Sequence, residues 1–273
     1  MTKKLNNQPS KPLADGQIVL SWSDSIATIT FNRPDKKNAI THQMWREIVH
    51  AFELIDQADD IRCVLMMGGG ESDFSAGADI GEFDSARRDP HTAERYEQSN
   101  SDAFRAVREC PLPVLAVIRG ICFGGAFGLA AAADLRIASH TASFSVPAGK
   151  LGLSYPADAM VDIVEAAGPQ FARYMLYSAR RIDAATALDA GIILSLHDDR
   201  DLEESALQLA SEICANAPLS NRASKAAIRA ALSHSADDFQ KASVLGALTF
   251  SSRDYEEGRL AFRERRKPVF RGS

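Results

Sequence analysis

The 273-residue chain lacks most of the patterns that announce a common catalytic class. It has no GxxxxGK[ST] loop, no HExxH and no GxSxG elbow, which removes P-loop nucleotide binding, zinc proteolysis and the serine-hydrolase nucleophile. Gly120, Gly124, Gly125 and Gly128 do not follow GxGxxG spacing, so a dinucleotide cofactor has no support. Cysteine is sparse: Cys63, Cys110, Cys122 and Cys214 form neither a CxxC pair nor a zinc pattern, and they read as reduced structural thiols. None of the six histidines is flanked by a motif that would make it a base. No run approaches the ~20 apolar residues that span a bilayer, and no apolar segment follows the basic N-terminal residues, so neither membrane nor export is expected and the protein reads as cytoplasmic. Basic residues number 31 against 36 acidic, a net charge of −5, and apart from a short cluster at 263–267 there is no basic tract. A sequence-independent nucleic-acid binder is thereby disfavoured.

What is present suits an α/β protein with a sizeable core, since 45% of residues are apolar and 25% charged. Residues 1–14 are polar, contain Pro9 and Pro12, and read as a disordered tail. Residues 17–21 and 26–31 read as a hairpin, and 41–59 as an amphipathic helix capped by Thr41, with Met44, Trp45, Ile48, Val49, Phe52 and Ile55 at three- and four-residue intervals. Short apolar strands are expected at 63–67, 114–118, 134–138 and 144–146, and an Ala-rich buried helix ends near Ala133. From residue 157 onward the texture is helical, over 157–167, 170–178, 183–190, 201–215, 219–232 and 236–250. An α/β core over 15–200 with a helical layer over 201–273 follows.

Two turns stand out, Phe74-Ser75-Ala76-Gly77-Ala78-Asp79 and Gly120-Ile121-Cys122-Phe123-Gly124-Gly125-Ala126. Each follows a buried strand and precedes a helix, where the first N–H groups lack intrahelical partners. Two such donors converging would hold a developing oxyanion. Alternatively, the glycines merely permit tight strand-to-helix packing.

These turns, with Asn32-Arg33-Pro34, Asn38-Ala39 and the run 116–134, resemble the enoyl-CoA hydratase/isomerase (crotonase) family, from Gln17 to about Phe270. The resemblance implies a spiral of ββα units with a helical C-terminal trimerisation region, a homotrimer or dimer of trimers, and an acyl-CoA thioester substrate. It implies that the Ala78 and Gly125 N–H groups hold the thioester oxygen while an enolate forms. Coenzyme A enters as part of the substrate, with no metal or further cofactor. For the coenzyme portion the resemblance points to Arg33, Lys36, Lys37 and Ala76, completed by Phe250, Phe262 and Lys267 of the same or a neighbouring subunit; a solvated basic tail is the alternative for the last group.

The chain also departs from the family. The two glutamates with which a hydratase adds water map onto Gly128 and Ala148, and neither can transfer a proton. The string Leu151 to Tyr155 is similar to that of methylmalonyl-CoA decarboxylases of the superfamily, which places Tyr155 against the substrate; those enzymes have histidine where Ala78 stands. Asp158 is the nearest alternative carboxylate, although a first-turn aspartate also suits a helix dipole. The expectation is an enolate-stabilising enzyme of the hydratase/isomerase type, a lyase or isomerase of fatty acid metabolism. A decarboxylase of a malonyl-type thioester and a catalytically silent acyl-CoA-binding subunit remain as alternatives.

Overall fold

The computed structural model describes residues 10–273. The segment 1–9 of the expected tail lies outside them, whereas Ser10–Leu13 forms strand β1. This corrects the tail's expected boundary. β1 is the outer strand of its sheet, pairing only with β2 (Ile18–Ser23) and placing Pro12 opposite Val19, so proline is tolerated there. Three of its four residues are exposed, which removes the alternation that would have marked it as a strand.

β2 and β3 (Ile26–Phe31) form the expected hairpin. Helix α1 (His42–Asp56) follows, its free N-terminal donor at Met44 accepted by the Thr41 hydroxyl at 3.2 Å. β4 (Cys63–Gly68) returns parallel to β3. After the one-turn α2 (Phe83–Ala86) comes α3 (Pro90–Glu109), then β5 (Val114–Ile118), β6 (Ile121–Phe123), α4 (Gly125–Ala132), β7 (Leu135–Ser139) and β8 (Ser143–Ser145). α5 (Met160–Ser178) is interrupted at Gly168-Pro169, where Gly168 takes φ 69°, matching the expected break between two helical pieces. β9 (Ile182–Asp183), α6 (Ala184–Asp189) and β10 (Ser195–His197) complete the strand-bearing part.

Among the described residues, seven strands pair in the order β1-β2-β3-β4-β5-β7-β10, parallel from β3 onward, and β6-β8-β9 form a smaller sheet. Alternate residues of the central strands face two layers. Val64, Met66, Val114 and Ala116 enter the main core with α1, α3, α4 and α5. Cys63, Leu65, Leu115 and Val117 pack against Leu202, Ala206 and Ala210 of α7 (Leu202–Cys214). Burial on both faces is why these strands read as continuous apolar runs.

Helices α8 (Pro218–Ser233), α9 (Ala236–Phe250) and α10 (Arg253–Glu264) form the last layer. α9 has no buried residue and exposes Phe239, Val244, Leu248 and Phe250. The chain end returns to the core: Arg62 donates to the carbonyls of Cys214 and Phe270, and the buried Asp254 accepts from the Arg271 and Gly272 N–H groups.

Candidate active site

The 32–40 loop is tied onto the loop after β4 by one side chain. Buried Asn38 accepts from the Arg33 N–H at 2.9 Å and donates to the carbonyls of Gly69 and Asp73 at 2.9 and 2.7 Å. Ser75 donates its hydroxyl proton to the Asn38 carbonyl and accepts from the Gly77 N–H, and bridges Ile40 to Ala78 and Ser75 to Cys122 align the strands' extensions.

That alignment presses the two glycine turns together. Gly77 has φ 88°, and a Cβ there would lie 2.4 Å from the Phe123 carbonyl oxygen, so only glycine fits. Gly124 has φ 54° and donates to the Ser145 carbonyl, and Gly125 then opens α4. A Cβ on Gly125 would meet the Trp45 ring at 2.9 Å and lie 4.0 Å from the Ala78 nitrogen. Among the described residues, neither the Ala78 nor the Gly125 N–H has an acceptor. Both residues line one cavity of about 100 Å³. Two unpaired donors beside an apolar cavity can hold an oxyanion.

Tyr155 lines the same cavity. Its hydroxyl donates to the Gly124 carbonyl at 3.1 Å, and its ring stacks on Phe104 with centroids 6.2 Å apart. A Cβ on Gly128 would lie 2.2 Å from the Tyr155 hydroxyl oxygen, so the phenol occupies the space a side chain at 128 would need. Burial, followed by the nearby Cys122 and Asp162, pushes the phenol's pKa well above its ordinary value, so Tyr155 is a neutral hydroxyl and not a base. Ala148 is also on the wall.

The other expected site residues divide. Ala76 lines the cavity, and its N–H donates to the carbonyl of Lys37 at 2.9 Å, which joins the loop of the exposed Lys36 and Lys37 to the cavity wall. Arg33 turns inward: its Nη1 donates to the Ala39 carbonyl and pairs with Asp79 at 2.8 Å, which braces the loop. Asp158 does not line the cavity; its carboxylate accepts from the Ser101 hydroxyl and the Ala159 N–H. Asp79 also accepts from the Gly81 N–H, and Asp134 accepts from the Val114 N–H and pairs with Lys225, both structural uses. Phe250 and Phe262 are 72% and 86% exposed and line a separate groove of about 580 Å³ between α8, α9 and α10. Exposed Lys267 lines neither.

The cavity contains a polar group that the sequence reading does not single out. Glu97 and Asn100 of α3 and Arg87 before it line the wall. Arg87 Nη2 lies 2.7 Å from Glu97 Oε1, and its guanidinium stacks over Phe83 and Tyr96 at 4.1 and 4.4 Å from the ring centroids. Asn100 Nδ2 donates to Glu97 Oε2 at 3.4 Å. Burial raises the Glu97 pKa, opposed by Arg87 and then by the Asn100 bond. The available signal was Asp89-Pro90, where Asp89 accepts from the Thr92 N–H as an N-cap and proline takes the first helical position. Among the described residues no group of three or more His, Cys, Asp or Glu side chains is arranged to hold a metal ion.

The pattern of the Enoyl-CoA hydratase/isomerase family matches residues 21–273, nearly the whole chain. The chain belongs to that family. Among curated relatives of this hydratase/isomerase family member, methylmalonyl-CoA decarboxylase of Escherichia coli is 31% identical, over 91% of this chain and 95% of that one. The mitochondrial Delta(3,5)-Delta(2,4)-dienoyl-CoA isomerase of Mus musculus is 28% identical, over 81% and 70% respectively. A crystal structure of an enoyl-CoA hydratase/carnithine racemase from Magnetospirillum magneticum superposes with a TM-score of 0.88 at 35% identity, covering 94% of this chain and 96% of that one. The fold is thus the crotonase fold, and the protein is a crotonase-family enzyme of the kind that acts on acyl-CoA.

Proposed function

We propose that the protein holds an acyl-CoA thioester with its carbonyl oxygen between the Ala78 and Gly125 N–H groups, and stabilises the enolate formed there. The observation that carries this reading is the pair of donors without acceptors on the wall of one apolar cavity. Charge that appears on the oxygen only as the α-carbon loses a substituent is stabilised by donors already in place, and the helix dipole of α4 adds to them. Lys36 and Lys37 meet the coenzyme's phosphates as point charges, and Ala76 borders its pantetheine end. Phe250, Phe262 and Lys267 reach the coenzyme of a neighbouring subunit in a homotrimer or dimer of trimers, a reading supported by their exposure and the uncovered face of α9.

Two-glutamate hydration is not the reaction. The positions that would carry those groups are Gly128, whose side-chain space Tyr155 fills, and Ala148. Crotonyl-CoA is therefore expected to bind and hydrate slowly, because each missing acid or base forfeits about 10²- to 10⁴-fold. A panel of crotonyl-, 3-hexenoyl- and methylmalonyl-CoA followed by mass spectrometry tests this, and rapid hydration of the first would overturn it. Decarboxylation is the second reading, favoured by the likeness to the Escherichia coli decarboxylase and by Tyr155 in the cavity. Binding of all three without conversion would identify a silent acyl-CoA-binding subunit.

A further inference from the structure

The titratable side chains on the cavity wall are Arg87, Glu97 and Tyr155. Arg87 is engaged by Glu97 and by the Phe83 and Tyr96 rings, and the Tyr155 hydroxyl is spent on the Gly124 carbonyl. Glu97 is thus the one carboxylate on the wall that carries the unpaired Ala78 and Gly125 donors. Its surroundings hold it in place: Arg87 grips one oxygen and Asn100 the other. Two buried atoms of that support, Arg87 Nε and Asn100 Oδ1, have no hydrogen-bond partner among the described residues. One is a donor and the other an acceptor, and buried atoms of this kind are ordinarily satisfied. Residues lining a cavity and keeping unused polar atoms beside a fixed carboxylate make a site for reaction rather than a packed wall.

We propose that Glu97 is the catalytic acid/base of this pocket, and that the reaction it supports is a shift of a double bond along the acyl chain of an enoyl-CoA. The inference rests on the acyl-CoA reading above and adds the proton carrier and reaction class to it. With a 3-enoyl thioester, the Glu97 carboxylate takes a proton from C2. The C2–H electron pair moves into a dienolate whose negative charge falls on the thioester oxygen between the two N–H groups. Protonated Glu97, free to trade its proton with solvent, then delivers a proton to C4, so that the C3–C4 double bond becomes C2–C3, or returns one to C2; in either case the carboxylate is regenerated. No water or co-reactant is consumed. One carboxylate suffices for this 1,3-transfer, whereas addition of water calls for a second group facing that water, and the wall has no second carboxylate.

The test uses the full-length protein, trans-3-hexenoyl-CoA in D₂O, and mass spectrometry of both isomerisation and deuterium uptake at C2. Butyryl-CoA, which has no double bond to move, reports binding separately. E97Q, which preserves shape and hydrogen bonding but not basicity, is expected to slow conversion and exchange by about 10²- to 10⁴-fold and to leave butyryl-CoA affinity within about threefold. E97D, which withdraws the carboxylate by one methylene, is expected to retain an intermediate rate, and it carries the test if E97Q does not fold. Exchange in either folded variant equal to that of the native protein overturns the role of Glu97. Butyryl-CoA binding by a native protein that neither isomerises nor exchanges the hexenoyl thioester also overturns it, while leaving the acyl-CoA reading in place. Failure of the native protein to bind butyryl-CoA overturns the acyl-CoA reading itself.

Discussion

The Gly124 carbonyl and the Gly125 N–H belong to one peptide unit, so a proton donated to the first polarises the second. Tyr155 makes that donation at 3.1 Å, and it acts on the reaction through the Gly125 donor. Its pKa, driven upward by burial, keeps the hydroxyl intact at any pH the enzyme would meet. Tyr155→Phe removes one neutral hydrogen bond, ordinarily worth about 1 kcal/mol, and is expected to lower kcat for 3-hexenoyl-CoA about fivefold with KM nearly unchanged. Steady-state kinetics decide the point: a loss of about a thousandfold would instead make Tyr155 the proton carrier.

At the scale of elements, α3 and α5 are joined by Arg108 and Asp162, whose atoms lie 2.6 Å apart with Asp162 2% exposed. Burial raises the Asp162 pKa from 3.8 to about 6, even though Arg108 opposes the shift. The folded chain therefore binds this proton more tightly than the unfolded chain. The resulting stabilisation is complete below the unfolded pKa and is lost as pH rises through about 6. Asp162→Asn abolishes the dependence. Denaturant melts at about pH 4 and about pH 7 should show the variant gaining on the native protein by on the order of 2 kcal/mol. Equal slopes in the two proteins would mean that Arg108 keeps the carboxylate ionised throughout. The same two helices illustrate why element prediction is uneven. α5 was legible from its apolar spacing and its Gly168-Pro169 break. α3 was not assigned, because its buried positions Tyr96, Asn100, Ser101, Ala103, Phe104 and Val107 mix polar with apolar residues. A polar residue placed inward for a pocket blurs the periodicity by which a helix is recognised.

For the molecule as a whole, the exposed apolar residues of the last layer are the largest unfinished feature. Ile228 and Leu232 of α8 and Phe239, Val244, Leu248 and Phe250 of α9 are all at least half exposed. Sedimentation velocity is expected to give a trimer or hexamer, and Leu248→Asp with Phe239→Asp to shift it toward smaller species; a monomeric native protein would refute the assembly. The sequence alone determined the buried apolar strands, the Thr41 cap and the two glycine turns, because apolar runs, capping residues and obligatory glycines are local signals written into neighbouring positions. Tertiary structure decided the rest. Arg33 and Asp158 carry charges that suit a site, but the fold turned one onto Asp79 and the other onto Ser101. Tyr155 and Gly128 stand far apart in the chain, and only packing put the phenol into the glycine's empty space. Glu97 became a candidate for the same reason: a carboxylate acquires chemistry from the walls around it, and those walls come from segments the sequence does not place side by side.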